Sequence, residues 1–113
     1  MSNVNKEINY LLESCCSGII KKISGKGPER TRVDIKGNYV TIEIRGILSE
    51  IEKAVLNHEN NYKRVEYFRQ GLVPILTEEI LKQVCIILCK ELIIISDEEN
   101  ILDNSKVIVL KII

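Results

Sequence analysis

Two short runs of alternating residues, separated by a pair of turn-forming residues, constrain the fold of this chain more than any other feature. In 31–36, Thr31, Val33 and Ile35 alternate with charged residues, and in 39–45 Val40, Ile42 and Ile44 alternate with more polar residues. A period of two is typical of a β-strand with one buried and one solvated face. Gly37 and Asn38 lie between the runs and favour a two-residue hairpin. The sequence therefore predicts two neighbouring antiparallel strands.

Helical patterns lie on both sides of this hairpin. Apolar residues recur at spacings of three and four over 5–24, which predicts an amphipathic helix that ends at Gly25. Ser49 and Glu52 form the pattern of a capping box, so a second, short helix is expected to begin there and to end near residue 57. The predicted buried stripe of the first helix consists of Ile8, Leu11, Leu12, Cys15, Ile19 and Ile23.

The segment 62–91 is helical in pattern but contains Gly71 and Pro74. Proline inside a helix removes a backbone hydrogen bond and clashes with the preceding turn. We therefore expect a helix over 62–72, followed by a kink or a new helix start near Pro74.

Two apolar runs, 92–96 and 107–113, predict a return to strands, with an acidic loop over 97–105 between them. Strands without polar alternation tend to be covered on both faces. These two strands are therefore expected either to be central in the sheet or to present an outer face to another subunit.

Together these patterns predict an α+β fold in a single domain, 1–113. The expected order is αββααββ, with an antiparallel sheet of about four strands and the helices on one face. Residues 5–45 and 75–113 share the order helix–strand–strand, which suggests a degenerate αββ repeat.

Composition narrows the classes of function. Sixteen basic residues balance sixteen acidic ones, and aromatic residues make up only 4% of the chain. Neither property favours binding to nucleic acid or to a charged membrane surface, although basic residues are concentrated in the first half. The N-terminus has no signal-peptide pattern, and no apolar run is long enough for a membrane helix, so we expect a cytoplasmic protein without membrane insertion.

Few residues are candidates for catalysis or metal binding. His58, in a polar stretch that predicts a turn, is expected to be a surface residue. Cys15, Cys16, Cys85 and Cys89 lack the spacing of a zinc site, so we expect core thiols rather than ligands. No local pattern supports a nucleophile with its base. The sequence therefore predicts a protein that is not an enzyme and has no cofactor or metal.

The loop Gly25-Lys26-Gly27-Pro28 is the sharpest local motif. One interpretation is a helix C-cap followed by a proline-fixed turn, and the other is a binding loop in which Lys26, Gly27 and Arg30 meet an anion. The loop is not a P-loop, since it follows a helix C-terminus, where the helix dipole is negative. Arg69 is a further candidate ligand, or alternatively a surface arginine that packs its stem.

Four elements, in order, resemble the MpsC family, which is labelled as a component of a Na⁺-translocating, membrane-potential-generating system. They are the loop 25–28 before a strand pair, the element Gly46 to Glu52, the helix segment Val65 to Arg69, and a strand ending in Ser96-Asp97. Ser49 stands where the family has threonine, and the glycine expected before the third strand is absent around Cys89. The resemblance implies association with ion or bicarbonate uptake at a membrane.

Three functions follow from these observations. The first is a non-enzymatic binding or regulatory module that forms a homodimer and serves a membrane-transporter subunit. The alternative is a small-anion sensor that uses Lys26, Gly27, Arg30 and Arg69. Nucleic-acid binding through the basic first half is the least favoured, and no nucleic-acid partner is expected.

Overall fold

Alternating strands and amphipathic helices give the chain the predicted order αββααββ. The computed structural model describes residues 2–58 and 61–113. The elements are α1 (Ser2–Ser24), β1 (Arg30–Lys36), β2 (Tyr39–Arg45), α2 (Glu50–Asn57), α3 (Tyr62–Leu88), β3 (Leu92–Asn100) and β4 (Ser105–Ile112). The strands form one sheet in the order β1-β2-β4-β3, and every neighbouring pair is antiparallel. The α+β class and the four-stranded antiparallel sheet are thus confirmed.

The predicted hairpin is present with its two-residue turn. Lys36 pairs with Tyr39, and Gly37 has a φ of +57°, a left-handed conformation that glycine adopts without steric cost. The apolar residues of β2 are fully buried, whereas Glu43 between them is exposed. The buried face of the sheet therefore packs against the helices and the other face meets solvent.

The core lies between the inner face of the sheet and the helices α1 and α3. α1 packs against β1 and α3, and α3 packs against β3. Burial of a large aliphatic side chain contributes about 1.5–3 kcal/mol, so these layers supply most of the favourable free energy of folding. The central residues are Leu12, Cys16, Val40, Ile42, Ile44, Ile80, Val84, Ile108 and Leu110. Cys16 therefore occupies the central position of the α1 stripe, while Cys15 is only partly buried and Leu11 is exposed.

The expected new helix start near Pro74 is wrong, because α3 is a single helix over Tyr62–Leu88, and the alternative of a kink there stays a prediction. A proline inside a helix costs about 3 kcal/mol in isolation. Pro74 and Gly71 are both exposed, whereas a buried stripe continues past them from Val65 to Val84. Packing of that stripe outweighs the local penalty, and solvent can reach the side of the helix that loses its hydrogen bond.

The acidic loop predicted over 97–105 is also wrong in its extent. β3 continues to Asn100, and the turn is confined to 101–104. Asp97 and Glu99 point inward in this strand because both carboxylates bind the buried Lys106 of β4. Acidic residues can therefore continue the strand where a cation on its neighbour compensates them.

The two C-terminal strands differ in how far the rest of the chain buries them. β4 is central, as expected, but β3 lies at the edge of the sheet. Ile93, Ile94 and Ile95 are 45%, 38% and 50% exposed, so the apolar run is not covered on both faces within one chain. A β-bulge between Ile94 and Ser96 shifts the register of β3 against β4. Among the described helices, none has the length and apolar character that crossing a membrane requires.

The suggested αββ repeat stays a prediction. The hairpin β1–β2 and the hairpin β3–β4 meet through β2 and β4, an order in which two equivalent units could face each other. Their turns differ, however, since two residues separate the first pair of strands and four separate the second.

Candidate functional site: an apolar groove and the ion network beside it

A buried arginine joins two helices to the sheet. Arg69 on α3 is 2% exposed. Its Nε donates to Glu99 Oε1 at 2.9 Å and its Nη2 donates to Glu99 Oε2 at 2.6 Å. Nη1 lies 3.4 Å from both carboxylate oxygens of Glu52 on α2 and 3.5 Å from the carbonyl oxygen of Ile47. One guanidinium thus connects α2, α3 and β3.

A buried lysine extends this network along the sheet. Lys106 on β4 is 2% exposed, and its Nζ donates to Asp97 Oδ1 at 2.6 Å and lies 3.3 Å from Glu99 Oε2. The hydroxyl of Thr77 on α3 donates to the other oxygen of Asp97. Glu99 is therefore shared between Arg69 and Lys106, and α3 is bonded to the sheet at two points.

The electrostatics of the network favour the charged form of Arg69. Burial by itself lowers the pKa of the Arg69 guanidinium, but the hydrogen bonds and charge of Glu99 and Glu52 outweigh it and raise that pKa above its ordinary value. Buried ion pairs cost several kcal/mol in desolvation, so removal of one partner leaves an uncompensated charge. The arrangement thus fixes the relative positions of the elements more than it adds net stability.

Several hydrogen bonds fix the start of α2. The Ser49 side chain accepts from the backbone N–H of Glu52, and the Glu52 side chain accepts from the backbone N–H of Ser49 at 2.8 Å, which completes the predicted capping box. The backbone N–H of Leu48 donates to Asn104 Oδ1 at 2.8 Å. Glu52 therefore caps its own helix and binds Arg69 with the same carboxylate.

The glycine-rich loop 25–28 contacts the start of α2. Lys26 forms an ion pair with Glu50, the first residue of α2. Gly46 has a φ of +80°, and a Cβ built on it would lie 2.8 Å from the backbone nitrogen of Glu29. Two backbone segments thus pass so closely that only glycine fits at position 46.

The four candidate anion ligands have separate surroundings. Lys26 is exposed and paired with Glu50, and Gly27 lies next to Lys21. Arg30 lies on the outer face of the sheet, in a hollow of about 230 Å³ lined by Arg30, Arg32, Glu43 and Arg45. Arg69 is inside the ion network, which excludes the alternative of a surface arginine. Anion binding by these residues stays a prediction.

An apolar groove opens where α2 faces α3. It has a volume of about 520 Å³. Ile51 and Phe68 line the groove, and their side chains are 78% and 58% exposed. Glu52 lines the groove as well and connects it to the ion network through Arg69. Its lining residues are Ile23, Ser24, Ser49, Ile51, Glu52, Val55, Arg64, Val65, Phe68 and Leu72.

Sequence reasoning missed most members of the network. Lys106 lies on the same face of β4 as the buried Ile108 and Leu110, and Asp97 and Glu99 lie on one face of β3. This period of two is the sequence signal that would have indicated inward-facing charges. Among the cysteines, Cys16 is fully buried, Cys15 and Cys85 are partly buried and Cys89 is exposed. The prediction of core thiols therefore holds for Cys16 but is wrong for Cys89. His58 is exposed, as expected.

A family model described as "Na+-translocating membrane potential-generating system (MpsC)" matches residues 5–112, nearly the whole chain. The chain belongs to the MpsC family. No curated protein and no solved structure matches it.

The elements that resemble MpsC come together at this site. The segment Gly46 to Glu52 supplies Glu52, the helix segment Val65 to Arg69 supplies Arg69, and the third strand supplies Asp97. The loop 25–28 joins them through the Lys26–Glu50 pair. These motifs, which are distant in the sequence, are thus connected through the ion network and the Lys26–Glu50 pair.

Proposed function

We propose that this chain is a non-enzymatic binding module that serves a Na⁺-translocating, membrane-potential-generating system from the cytoplasm, as an accessory of a membrane-transporter subunit. Membership of the MpsC family supports the link to such a system. The observation that carries the binding role is the apolar groove, in which Ile51 and Phe68 are exposed directly beside the Arg69–Glu52 pair.

The shape and composition of the groove favour a helical ligand. Large contiguous apolar surfaces on a small protein are typical of interaction sites. A groove between helices is a common receptor for the apolar face of an amphipathic helix, whose contacts recur at spacings of three and four. The capping box and the ion pair of Glu52 hold α2 at a fixed distance from α3, so the groove is formed before a ligand arrives.

Charge in the groove indicates which helix would bind. Among the lining residues, the acidic Glu52 is already bound to Arg69, whereas Arg64 is exposed at the rim. The remaining charge is therefore positive. The proposed occupant is an amphipathic helix of the membrane subunit, with an apolar face for Ile51 and Phe68 and an acidic residue for Arg64.

The ion network supports a structural rather than a catalytic role for its carboxylates. Glu52, Glu99 and Asp97 are each bonded to Arg69 or Lys106. A general base needs an accessible carboxylate that can exchange its proton with a substrate. These carboxylates are occupied by buried cations and serve to position α2 and α3.

Site-specific photo-crosslinking tests the groove. A photo-reactive phenylalanine analogue at Phe68 should crosslink, in cells, to an amphipathic segment of a subunit of the Na⁺-translocating system, identified by peptide mass spectrometry. Tyr67 is the matched control, since it is 80% exposed on the same helix but does not line the groove. Crosslinks to that segment from Tyr67 but not from Phe68 would place the contact elsewhere and contradict the proposal.

A functional assay complements the crosslinking. In cells that lack the protein, Phe68→Asp should fail to restore the Na⁺-dependent membrane potential that the wild type restores, while Tyr67→Asp should restore it. The aspartate at position 68 places a charge in the apolar groove. Restoration by Phe68→Asp equal to that by wild type would contradict a role for the groove.

A small-anion sensor is the second candidate, and the hollow beside Arg30 favours it. Three arginines and one glutamate line this hollow, and Arg30 lies directly opposite Arg45 in the register of β1 and β2. Like charges at directly opposite positions repel each other, so an anion between them would relieve that repulsion. Lys26 and Gly27 lie in the loop that leads into β1, close in sequence to Arg30.

Titration with bicarbonate and with phosphate, followed by nuclear magnetic resonance, tests the sensor. Saturable shifts in the wild type that disappear in Lys26→Ala/Arg30→Ala, but persist in the control Lys63→Ala, would support it. Equal shifts in the double variant and in the wild type would exclude these two residues as ligands.

A further inference from the structure

The two edges of the sheet are protected differently. At the β1 edge, the carboxylate of Glu13 on α1 accepts a hydrogen bond from the backbone N–H of Val33 at 2.9 Å, and Ser17 bonds to Thr31 at 2.8 Å. α1 therefore covers this edge and occupies one of its backbone donors. An edge blocked in this way cannot pair with another strand.

At the β3 edge, backbone groups remain available. The N–H of Ile113 donates to the carbonyl of Glu91 at 2.9 Å, and the N–H of Ile112 donates away from β3, to the carbonyl of Asn38 at 2.7 Å. Since the direction of these groups alternates along an antiparallel pair, Leu92 and Ile94 turn their N–H and C=O groups away from β4. Neither residue has another hydrogen-bond partner within the described part of the chain.

The side chains in the first half of β3 do not discourage pairing. Edge strands usually carry lysine, proline or inward charges that prevent association with another strand. The first half of β3 instead presents Ile93, Ile94 and Ile95, which are all more than one third exposed. The bulge that follows Ile94 confines regular pairing to this first half.

We propose that the first half of β3 pairs with the same segment of a second copy of this chain. The two strands would run antiparallel about a two-fold axis at Ile93. In this register Leu92 of each copy lies opposite Ile94 of the other, so the outward N–H and C=O groups bond reciprocally. The two sheets then form one continuous sheet, and the three isoleucines of each copy pack at its centre.

Charge complementarity selects this orientation. Among the exposed charges that flank the isoleucines, Lys90 and Glu91 lie on one side and Glu98 lies on the other, whereas Asp97 and Glu99 are bound to Lys106 and Arg69. The antiparallel register places Lys90 opposite Ser96 of the second copy, on the side of that copy's Glu98. A parallel pairing would place Lys90, Glu91 and Glu98 each beside its own equivalent and is disfavoured by repulsion. The interface goes beyond the proposed binding role and uses none of the residues that line the groove.

Sedimentation velocity over low to high micromolar concentrations tests the interface. The wild type should dimerise, and Ile93→Lys should shift the protein to monomer at every concentration because it places two cations on the axis. Leu102→Lys is the matched control: Leu102 is 78% exposed in the turn before β4, and its variant should dimerise as the wild type does. Circular dichroism would verify that each variant is folded.

A cysteine at the axis tests the register. Residues directly opposite at a non-hydrogen-bonded position have Cα atoms about 4.5 Å apart, which is within the range of a disulfide. In a Cys89→Ser background, Ile93→Cys should therefore form a covalent dimer on mild oxidation, and Leu102→Cys should not. A wild type that is monomeric throughout, or a dimer that Ile93→Lys leaves intact and Ile93→Cys does not crosslink, would overturn the proposal.

Discussion

Arg69 binds Glu99 through two parallel hydrogen bonds, of 2.9 Å from Nε and 2.6 Å from Nη2, although the two residues are 30 positions apart in the chain. The pair is almost completely shielded from solvent, with exposures of 2% and 9% for the two side chains. Bidentate pairs of this kind add geometric specificity as well as energy. The pair fixes the position of α3 on β3, and through Glu52 it also fixes α2.

Removal of this guanidinium should strongly destabilise the fold. Arg69→Met leaves Glu52 and Glu99 buried without their main cation, which is expected to lower the free energy of unfolding by about 3–5 kcal/mol. Urea denaturation measures the change. Arg64→Met on the exposed side of the same helix is the control and should stay within about 0.5 kcal/mol of wild type. A loss below about 1 kcal/mol for Arg69→Met would contradict a compensating role for the arginine.

Loss of the capping hydroxyl should weaken α2. Ser49→Ala removes the acceptor for the backbone N–H of Glu52, and such caps contribute about 1 kcal/mol. Chemical denaturation should show this decrease, and Ser49→Thr, which keeps a capping hydroxyl, should retain most of the stability. Ser14→Ala at an exposed position of α1 provides the comparison. Equal stabilities of Ser49→Ala and Ser49→Thr would indicate that the capping bond adds nothing.

Glycine at position 89 should stabilise the protein. Cys89 ends α3 with a φ of 53° and a ψ of 42°, a left-handed conformation that costs a residue with a Cβ about 1 kcal/mol or more. Cys89→Gly relieves this strain, whereas Cys89→Ala retains it. Thermal unfolding should therefore rank the glycine variant above the alanine variant, and the reverse order would contradict the strain.

Alanine should have opposite effects at two other glycines. Gly46→Ala combines a φ of +80° with a Cβ only 2.8 Å from Glu29 N, so it should lose more than about 1 kcal/mol. Gly71→Ala lies in the exposed interior of α3 with open space around it, and should gain up to about 1 kcal/mol from helix propensity. Denaturation midpoints of the two variants measure the signs, and equal signs would refute the close approach at Gly46.

The Cys16 thiol should resist both alkylation and ionisation. Burial, followed by the charges of Cys15 and Glu13, raises the pKa of Cys16 to about 12, from 9.0. The folded state therefore favours the protonated thiol, so its stabilising contribution is complete below pH 9 and is lost as the pH rises towards 12. The free energy of unfolding of Cys16→Ala should therefore fall less than that of the wild type as the pH rises from 9 towards 12. Mass spectrometry after brief iodoacetamide treatment should find exposed Cys89 modified and Cys16 unmodified; equal labelling would contradict the burial.

Local sequence determined the elements whose physical cause is local. Alternation over 31–36 and 39–45 with Gly37 and Asn38 between them specified the hairpin, since a two-residue turn fixes the register of both strands. Ser49 and Glu52 specified the start of α2, because the donors and acceptors of a capping box lie three residues apart. The order of helices and strands followed from the same short-range patterns.

Tertiary structure decided the features whose free energy comes from distant partners. Pro74 remains inside α3 because the stripe from Val65 to Val84 packs against the core on both sides of it. The acidic residues Asp97 and Glu99 extend β3 only because Lys106 and Arg69 lie opposite them. Burial makes such pairing obligatory, since a charge removed from water needs a compensating charge at hydrogen-bond distance. The period of two in β3 and β4 indicates which charges face inward but not which partner each of them meets, so the ion network and the groove beside it emerge only when the folded chain brings these residues together.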